Sequence, residues 1–272
     1  IWGMMVGEEG KTKIPIYDNF MKAGFDPEKH VIQCYGTGWT SASFLPQERQ
    51  LFGLPGGFLN DWQLGTNIEG LYVAGDSLYA SDCFGHAAAT GHYAGRHAST
   101  YASRAKLIDF DRQQADDEKK RVYAPLQNNP ETSIGWKELN MGIAKTMQNY
   151  CGEIKRDELL EIGLLRLQEY EKEVVPGTYA YNPHELTRLL EVFDILTVSQ
   201  IIVQSCLARK TSSKPLCFVR GDSNDDETGN VTTLITIKQV NGEVVTGEQP
   251  NDFFGDLKES YEKYNRDYIG GE

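Results

Sequence analysis

The chain has little of what would assign it a class directly. Its 5 cysteines are an odd number, scattered as Cys34, Cys83, Cys151, Cys206 and Cys217 with no C-x-x-C pair. That argues against a disulfide framework and against a self-contained zinc or iron-sulfur site, and favours a reducing, cytoplasmic setting with no metal held by this chain. No stretch approaches the roughly 20 apolar residues that a membrane helix needs. Base is in short supply: 27 Lys and Arg face 39 Asp and Glu, for a net charge of -12. Such a surface repels phosphate backbones, and no local basic patch offsets it, which disfavours nucleic acid as a partner. A complete dinucleotide fingerprint is missing too. Gly36 and Gly38 in "YGTGWTSAS" lack the third glycine and no βαβ unit surrounds them, so this reads as a substrate-facing or surface loop. The chain starts on Ile1 with no initiator methionine, basic n-region or cleavage pattern, which reads as the later portion of a longer chain.

What is present fits a globular protein. With 272 residues, 40% of them hydrophobic, the chain can bury a real core without metals or disulfides. Up to about Gln50 it is aromatic-rich and loop-like. The stretch "LPGGFLNDWQLGTNIEGLYVAGD" then reads as a turn at Gly56-Gly57, a short extended piece, a second turn, and a buried strand ending at Asp76. Ala87 to Tyr101 predicts a helix of small residues. Beyond Ser103 the character changes to long amphipathic helices, over Ser133 to Tyr150 and Arg156 to Val174, the latter stopped at Pro176-Gly177. A third begins with Asn182 as N-cap, Pro183 at its first position and Glu185 three after the cap, and runs to Arg209. "VTTLITIKQVNGEVVTG" alternates about Asn241-Gly242, a strong hairpin signal, and "ESYEKYNRDY" reads as a polar tail.

The chemistry concentrates in "GLYVAGDSLYASDCFGHAAATGHYAGRHAS", residues 70–99. A strand ending in Gly75-Asp76 puts a carboxylate at the carboxyl edge of a sheet, where it can accept hydrogen bonds from ribose or ribityl hydroxyls. A helix beginning near Gly85 to Ala88 aims free N–H groups and a partial positive charge at the same crevice. A polyhydroxylated, anionic cofactor suits both. The plainer alternative is that Asp76 caps the next element and His86, His92 and His97 are surface or core polar groups.

These residues also resemble a family. "GGFLNDWQLGTNIEGLYVAGD" followed by a small-residue helix ending "GHYAGRHAS" is similar to the segment completing the FAD-binding domain in the succinate dehydrogenase, fumarate reductase and adenylylsulfate reductase flavoproteins. The likeness continues to "CLARKTSSKPLCFVRGDSNDDE", which matches the family's later R-x-D. The resemblance implies an α/β FAD-binding domain, the C-terminal part of a Rossmann-like, glutathione-reductase-type fold, followed by an α-helical bundle and a small β-hairpin tail. The implied divisions are 1–47, ending a capping or substrate domain; 48–104, closing the FAD domain; 105–222, helical; and 223–272, hairpin and tail. It further implies that Asp76 holds the ribityl chain of FAD, that Gly57, Ala74, Gly75 and Ser77 line that turn, and that Gly85, His86, Ala87, Ala88 and Ala89 lie against the isoalloxazine. Main-chain donors there would stabilise negative charge on the reduced flavin.

Departures from the family sharpen the expectation. Fumarate-type members carry H-G-A-N-R-L-G-G-N-S in this connection, with an arginine for a dicarboxylate; here the stretch is "SDCFGHAAATG", with no arginine between Asp76 and Arg96. "GHYAGR" is closer to the adenylylsulfate reductase branch, while "RKTSSK" lacks the usual E-S-R. His86 then becomes the candidate proton donor, imidazole being the side chain that changes charge near neutral pH. Tyr35, Trp39 and Ser43, with Asp82 and Cys83, are candidates for lining the substrate side. The implied reaction is hydride or electron exchange between FAD and a small organic or sulfur-oxyanion substrate. The implied partners are the N-terminal half of the flavoprotein, in this or another chain, and an iron-sulfur subunit of ferredoxin type. A nicotinamide or flavin donor, or a non-catalytic helical assembly subunit of the same shape, are the alternatives.

Overall fold

A computed structural model describes residues 56–78, 84–106, 109–214, 216, 218–227, 231–252 and 255–269, all within the unit Leu51–Glu272. Six helices occur among them: α1 (Phe84–Ala102), α2 (Arg112–Tyr123), α3 (Trp136–Tyr150), α4 (Asp157–Glu169), α5 (Pro183–Ala208) and α6 (Leu257–Ile269). The strands are β1 (Ile154–Lys155), β2 (Ser212–Ser213), β3 (Val219–Arg220), β4 (Asp226–Glu227), β5 (Thr233–Val240) and β6 (Glu243–Pro250), paired as β1-β3, β2-β4 and β5-β6. No helix among the described residues is long and apolar enough to cross a membrane.

The core is a three-helix bundle. Apolar residues recur on α3 every fourth position, at Leu139, Ile143, Met147 and then Cys151, and meet Leu160 and Leu167 of α4 and Leu189, Val192, Leu196 and Val203 of α5. This is the face that a 3.6-residue period lays along one side of a helix. Helices α3 and α4 approach closely because Gly163 has no side chain: a Cβ there would stand 2.8 Å from the Cβ of Tyr150. Helix α5 starts as its residues dictate. Asn182 accepts from the Glu185 N–H at 3.0 Å, and the Glu185 carboxylate reaches back to the Tyr181 N–H at 2.9 Å, so one donor of the first turn and the amide just before the cap are satisfied. Helix α4 gives way to a π turn over Tyr170–Val174 and a 3-10 turn at Val175–Gly177, which ends it at the expected Pro176-Gly177 break. Asn241 and Gly242, both at positive φ, join β5 to β6, whose register runs from Val240↔Glu243 to Thr233↔Pro250. Positive φ at both central residues is what a type I′ turn requires.

Two readings are corrected. "GLYVAGD" is not a strand of a larger sheet among the described residues. It folds back on its own loop, with Thr66 N–H to Leu71 O and Val73 N–H to Leu64 O both at 2.9 Å, and ends in a 3-10 turn over Gly75–Ser77. A turn at Ile68 to Leu71, closed by a 3.0 Å hydrogen bond, supplies that nearby partner. The supposed polar tail is helix α6, and Tyr264 on it stacks against Trp62, ring centroids 6.0 Å apart.

A charged cluster closes the bundle end. The parallel β1-β3 ladder sets Lys155 opposite Arg220, and both face inward, each 5% exposed or less. Arg220 donates to Asp157 at 2.6 Å, to both oxygens of Asp222 at 2.8 Å, and to the Cys206 carbonyl at 3.0 Å. Asp222 also accepts from the Asp157 N–H at 2.6 Å, capping the start of α4. Lys210 holds the other side of Asp157 at 2.8 Å. Beside them Cys151 donates its thiol proton to Cys206, Sγ to Sγ 4.0 Å. That bond and burial push the Cys151 thiol up; the same bond, with Lys155 and Arg220 nearby, pulls Cys206 down. Burial lowers Lys155.

Hydrogen bonds from Lys210 and Arg220 hold Asp157 below the usual carboxylate range, and the Asp157 N–H and Arg220 do the same for Asp222. Stabilisation from depressed carboxylates is fully present above about pH 4, the unfolded value, and is lost as pH falls through the folded values. Arg220→Met should therefore cost about 3 kcal/mol near neutrality, the scale of breaking a buried pair, with the difference from wild type shrinking on acidification. Urea unfolding of both proteins from pH 7 down to pH 2 measures it; a pH-independent difference would contradict the assignment.

Candidate functional site

The turn Gly75–Ser77 and the start of α1 form the candidate site. Gly75 is buried with φ +62°, a left-handed conformation that costs an ordinary residue about 1–2 kcal/mol. Its missing side chain faces α1: a Cβ there would lie 3.4 Å from the Cβ of Ala87. Its N–H donates to Thr90 Oγ1 at 2.9 Å, and the Thr90 hydroxyl donates in turn to the His86 carbonyl at 2.7 Å. This seats the turn against α1, with Asp76 and Ser77 exposed beyond it. Phe58 N–H donates to Ser77 O at 2.8 Å, which brings the exposed Gly56-Gly57 alongside.

The fold thus gathers the predicted set. Gly57, Ala74, Gly75, Asp76 and Ser77 lie on one side; Gly85, His86, Ala87, Ala88 and Ala89 occupy the first two turns of α1 on the other. His86 and Ala87 are half-buried, while Gly85, Ala88 and Ala89 are exposed. Because α1 begins at Phe84, earlier than the predicted Ala87, the N–H groups without intrahelical acceptors are those of Phe84 to Ala87; Ala88 and Ala89 offer surface rather than donors. Among the described residues no acidic side chain lies within the first turn of α1 itself. His92 is exposed, and His97 packs edge-on to Tyr93, centroids 4.6 Å apart. Tyr35, Trp39, Ser43, Asp82 and Cys83 lie outside the described residues.

Thr90 escaped the sequence reading. The available signal was a hydroxyl four residues after His86 in an otherwise small, apolar helix, the spacing at which Thr bonds back to a carbonyl. Two open clefts, of about 610 and 680 Å³, lie elsewhere. One is lined by residues including Glu69, Tyr72, His97 and Tyr101, and the other by Asp61, Trp62 and residues of α6 such as Tyr264. Neither touches Asp76 or His86.

The surface here offers a carboxylate on a turn, the N-terminal end of a helix, and glycine and alanine in place of bulk. At Gly85 nothing stands within 4 Å of where a Cβ would be. Turn, small-residue helix and bundle together have the fold of flavoprotein subunits. Residues 140–253 match a family model described as "Fumarate reductase flavoprotein C-term", and the resemblance to the succinate dehydrogenase, fumarate reductase and adenylylsulfate reductase flavoproteins is borne out. L-aspartate oxidase of Acinetobacter baylyi is 25% identical over 171 residues, 58% of this chain and 29% of that protein. Among solved structures, Escherichia coli quinol fumarate reductase superposes with TM-score 0.56 at 19% identity, over 71% of this chain and 36% of that one. Adenylylsulfate reductase from Archaeoglobus fulgidus gives 0.57 at 19%, over 66% and 31%. The chain thus spans about a third of these relatives' length. Proteins of this family are flavin-dependent oxidoreductases that bind FAD.

Gly75→Ala should lower stability by about 1–2 kcal/mol through the left-handed backbone alone, since a Cβ at 3.4 Å from Ala87 is an ordinary contact. Thermal unfolding of the variant checks this; an unchanged Tm would mean that the turn relaxes to another conformation.

Proposed function

We propose that this chain is the C-terminal part of an FAD-dependent oxidoreductase and that the Gly75–Ser77 turn and the first turns of α1 hold the flavin and ribityl end of the cofactor. The observation that carries the reading is the bridge from Gly75 N–H through Thr90 to the His86 carbonyl, which holds one carboxylate-bearing turn beside the donor end of one helix. Bound there, FAD supplies hydride and electron transfer. Asp76 accepts hydrogen bonds from ribityl hydroxyls. The N–H groups at the start of α1 favour negative charge opposite them, with Gly57 and Ala74 leaving space along the turn. Ala88 and Ala89 present a flat, uncharged face. His86, half-buried and in the first turn of α1, donates a proton to substrate in the stretch where fumarate-type members carry an arginine.

The remaining parts of the reading follow from it. The N-terminal half of the flavoprotein, in this or another chain, supplies the adenine side. The substrate is a small organic acid or sulfur oxyanion, and an iron-sulfur subunit is the electron partner. Residues 48–104 close the FAD domain, 105–222 form the helical domain and 223–272 the hairpin and tail.

Asp76→Ala should weaken FAD retention by about tenfold or more, the scale of losing hydrogen bonds to a charged acceptor. Flavin fluorescence titration measures it, and unchanged occupancy removes Asp76 from the site. His86→Gln should keep FAD but lose about 100-fold or more of turnover, the usual contribution of a general acid. Full turnover in a flavin-loaded His86→Gln protein would end the catalytic assignment.

A further inference from the structure

The hydroxyl of Thr90 makes two bonds with opposite roles. It accepts from the Gly75 N–H at 2.9 Å and gives its own proton to the His86 carbonyl at 2.7 Å, with the Ala87 carbonyl more distant at 3.4 Å. A hydroxyl has one proton to give, so the second bond fixes its orientation and leaves a lone pair aimed at Gly75. Gly75 is buried, and a buried amide without an acceptor is strongly disfavoured. Beside this bond the two segments are in close contact, a Cβ at Gly75 standing 3.4 Å from the Cβ of Ala87. The hydroxyl therefore ties the backbone of the Asp76-bearing turn to the first turns of α1, and it does so through the carbonyl of His86 itself.

We infer that Thr90 is a positioning residue for the flavin site: its hydroxyl locks the carboxylate-bearing turn and the donor end of α1 at the one spacing that serves both ends of the ligand, an inference that rests on the reading above. Thr90 touches neither the ligand nor substrate in this scheme. Valine keeps the shape of threonine and removes both bonds, whereas serine keeps the hydroxyl.

The test compares wild type, Thr90→Val, Thr90→Ser and Asp76→Ala in the native, full-length protein. FAD affinity is read by fluorescence, the flavin midpoint potential by dye-coupled titration, and amide exchange at Gly75 by mass spectrometry without flavin. Thr90→Val should raise the FAD dissociation constant on the order of tenfold, the equivalent of one buried hydrogen bond. Its potential should move to more negative values, because donors that no longer face the reduced flavin stabilise its charge less. Thr90→Ser should restore both. If Thr90→Val binds with wild-type affinity and potential while Asp76→Ala loosens FAD, the role of Thr90 falls and the flavin site stands. If wild type takes up no FAD, both fall. Should Thr90→Val not fold, slow exchange at Gly75 in wild type and Thr90→Ser is still required, and fast exchange in either overturns the inference.

Discussion

Arg220 is the interaction on which the helical part of the chain depends. A guanidinium taken out of water is unfavourable by several kcal/mol unless its donors are met, and here they reach two carboxylates and a carbonyl. Those acceptors sit at the start of α4, on the return loop after β3, and near the end of α5. One side chain therefore fixes where one helix begins and another ends. Asp222 answers the guanidinium and the first amide of α4 together, so the ion pair and the helix cap cannot be changed separately. The layers of the bundle follow, with Gly163 permitting the α3-α4 approach and Leu160 and Leu167 closing on α5.

The candidate site is built on the opposite principle. Few of its predicted residues carry a charge or a long side chain; glycine, alanine and serine supply shape, and the backbone supplies donors. Its precision comes from hydrogen bonds between segments: Phe58 to Ser77, and Gly75 to Thr90. Such a site can keep its form while its sequence drifts, which suits a chain that superposes on flavoprotein subunits at 19% identity. The matched stretch 140–253 covers the bundle and the hairpin rather than the turn, so the turn stands on its own geometry and on the resemblance of residues 56–99.

What could be read from the residues was local. Asn182, Pro183 and Glu185 specify the start of α5 within four positions, and Asn241-Gly242 specifies a turn within two, because the bonds that make them span no greater distance. What could not be read depends on partners far along the chain. "GLYVAGD" has the composition of a buried strand, and nothing in it says that its partner is residues 64–66 of its own loop. Nothing in the neighbouring sequence marks Lys155 or Arg220 as buried; the ladder between β1 and β3, joining positions 65 apart, turns them inward. Thr90 looked like one polar residue in a helix of small ones until Gly75 was placed beside it. The gathering of Asp76 with Gly85 to Ala89 was legible, since the short stretch of sequence between them leaves few other arrangements.

Helix α1 is 19 residues long, yet Ala94 is its sole fully buried member in the described structure. Helices in proteins are held chiefly by the face they bury, and this one has scarcely any core of its own among the described residues. Little of its order comes from a core among those residues. Anything that settles on its small-residue face adds to the stability of the helix by mass action, at no expense to the bundle. For a flavin bound as proposed, occupancy and helicity become two readings of one equilibrium, and the helix that holds the ligand also reports on it.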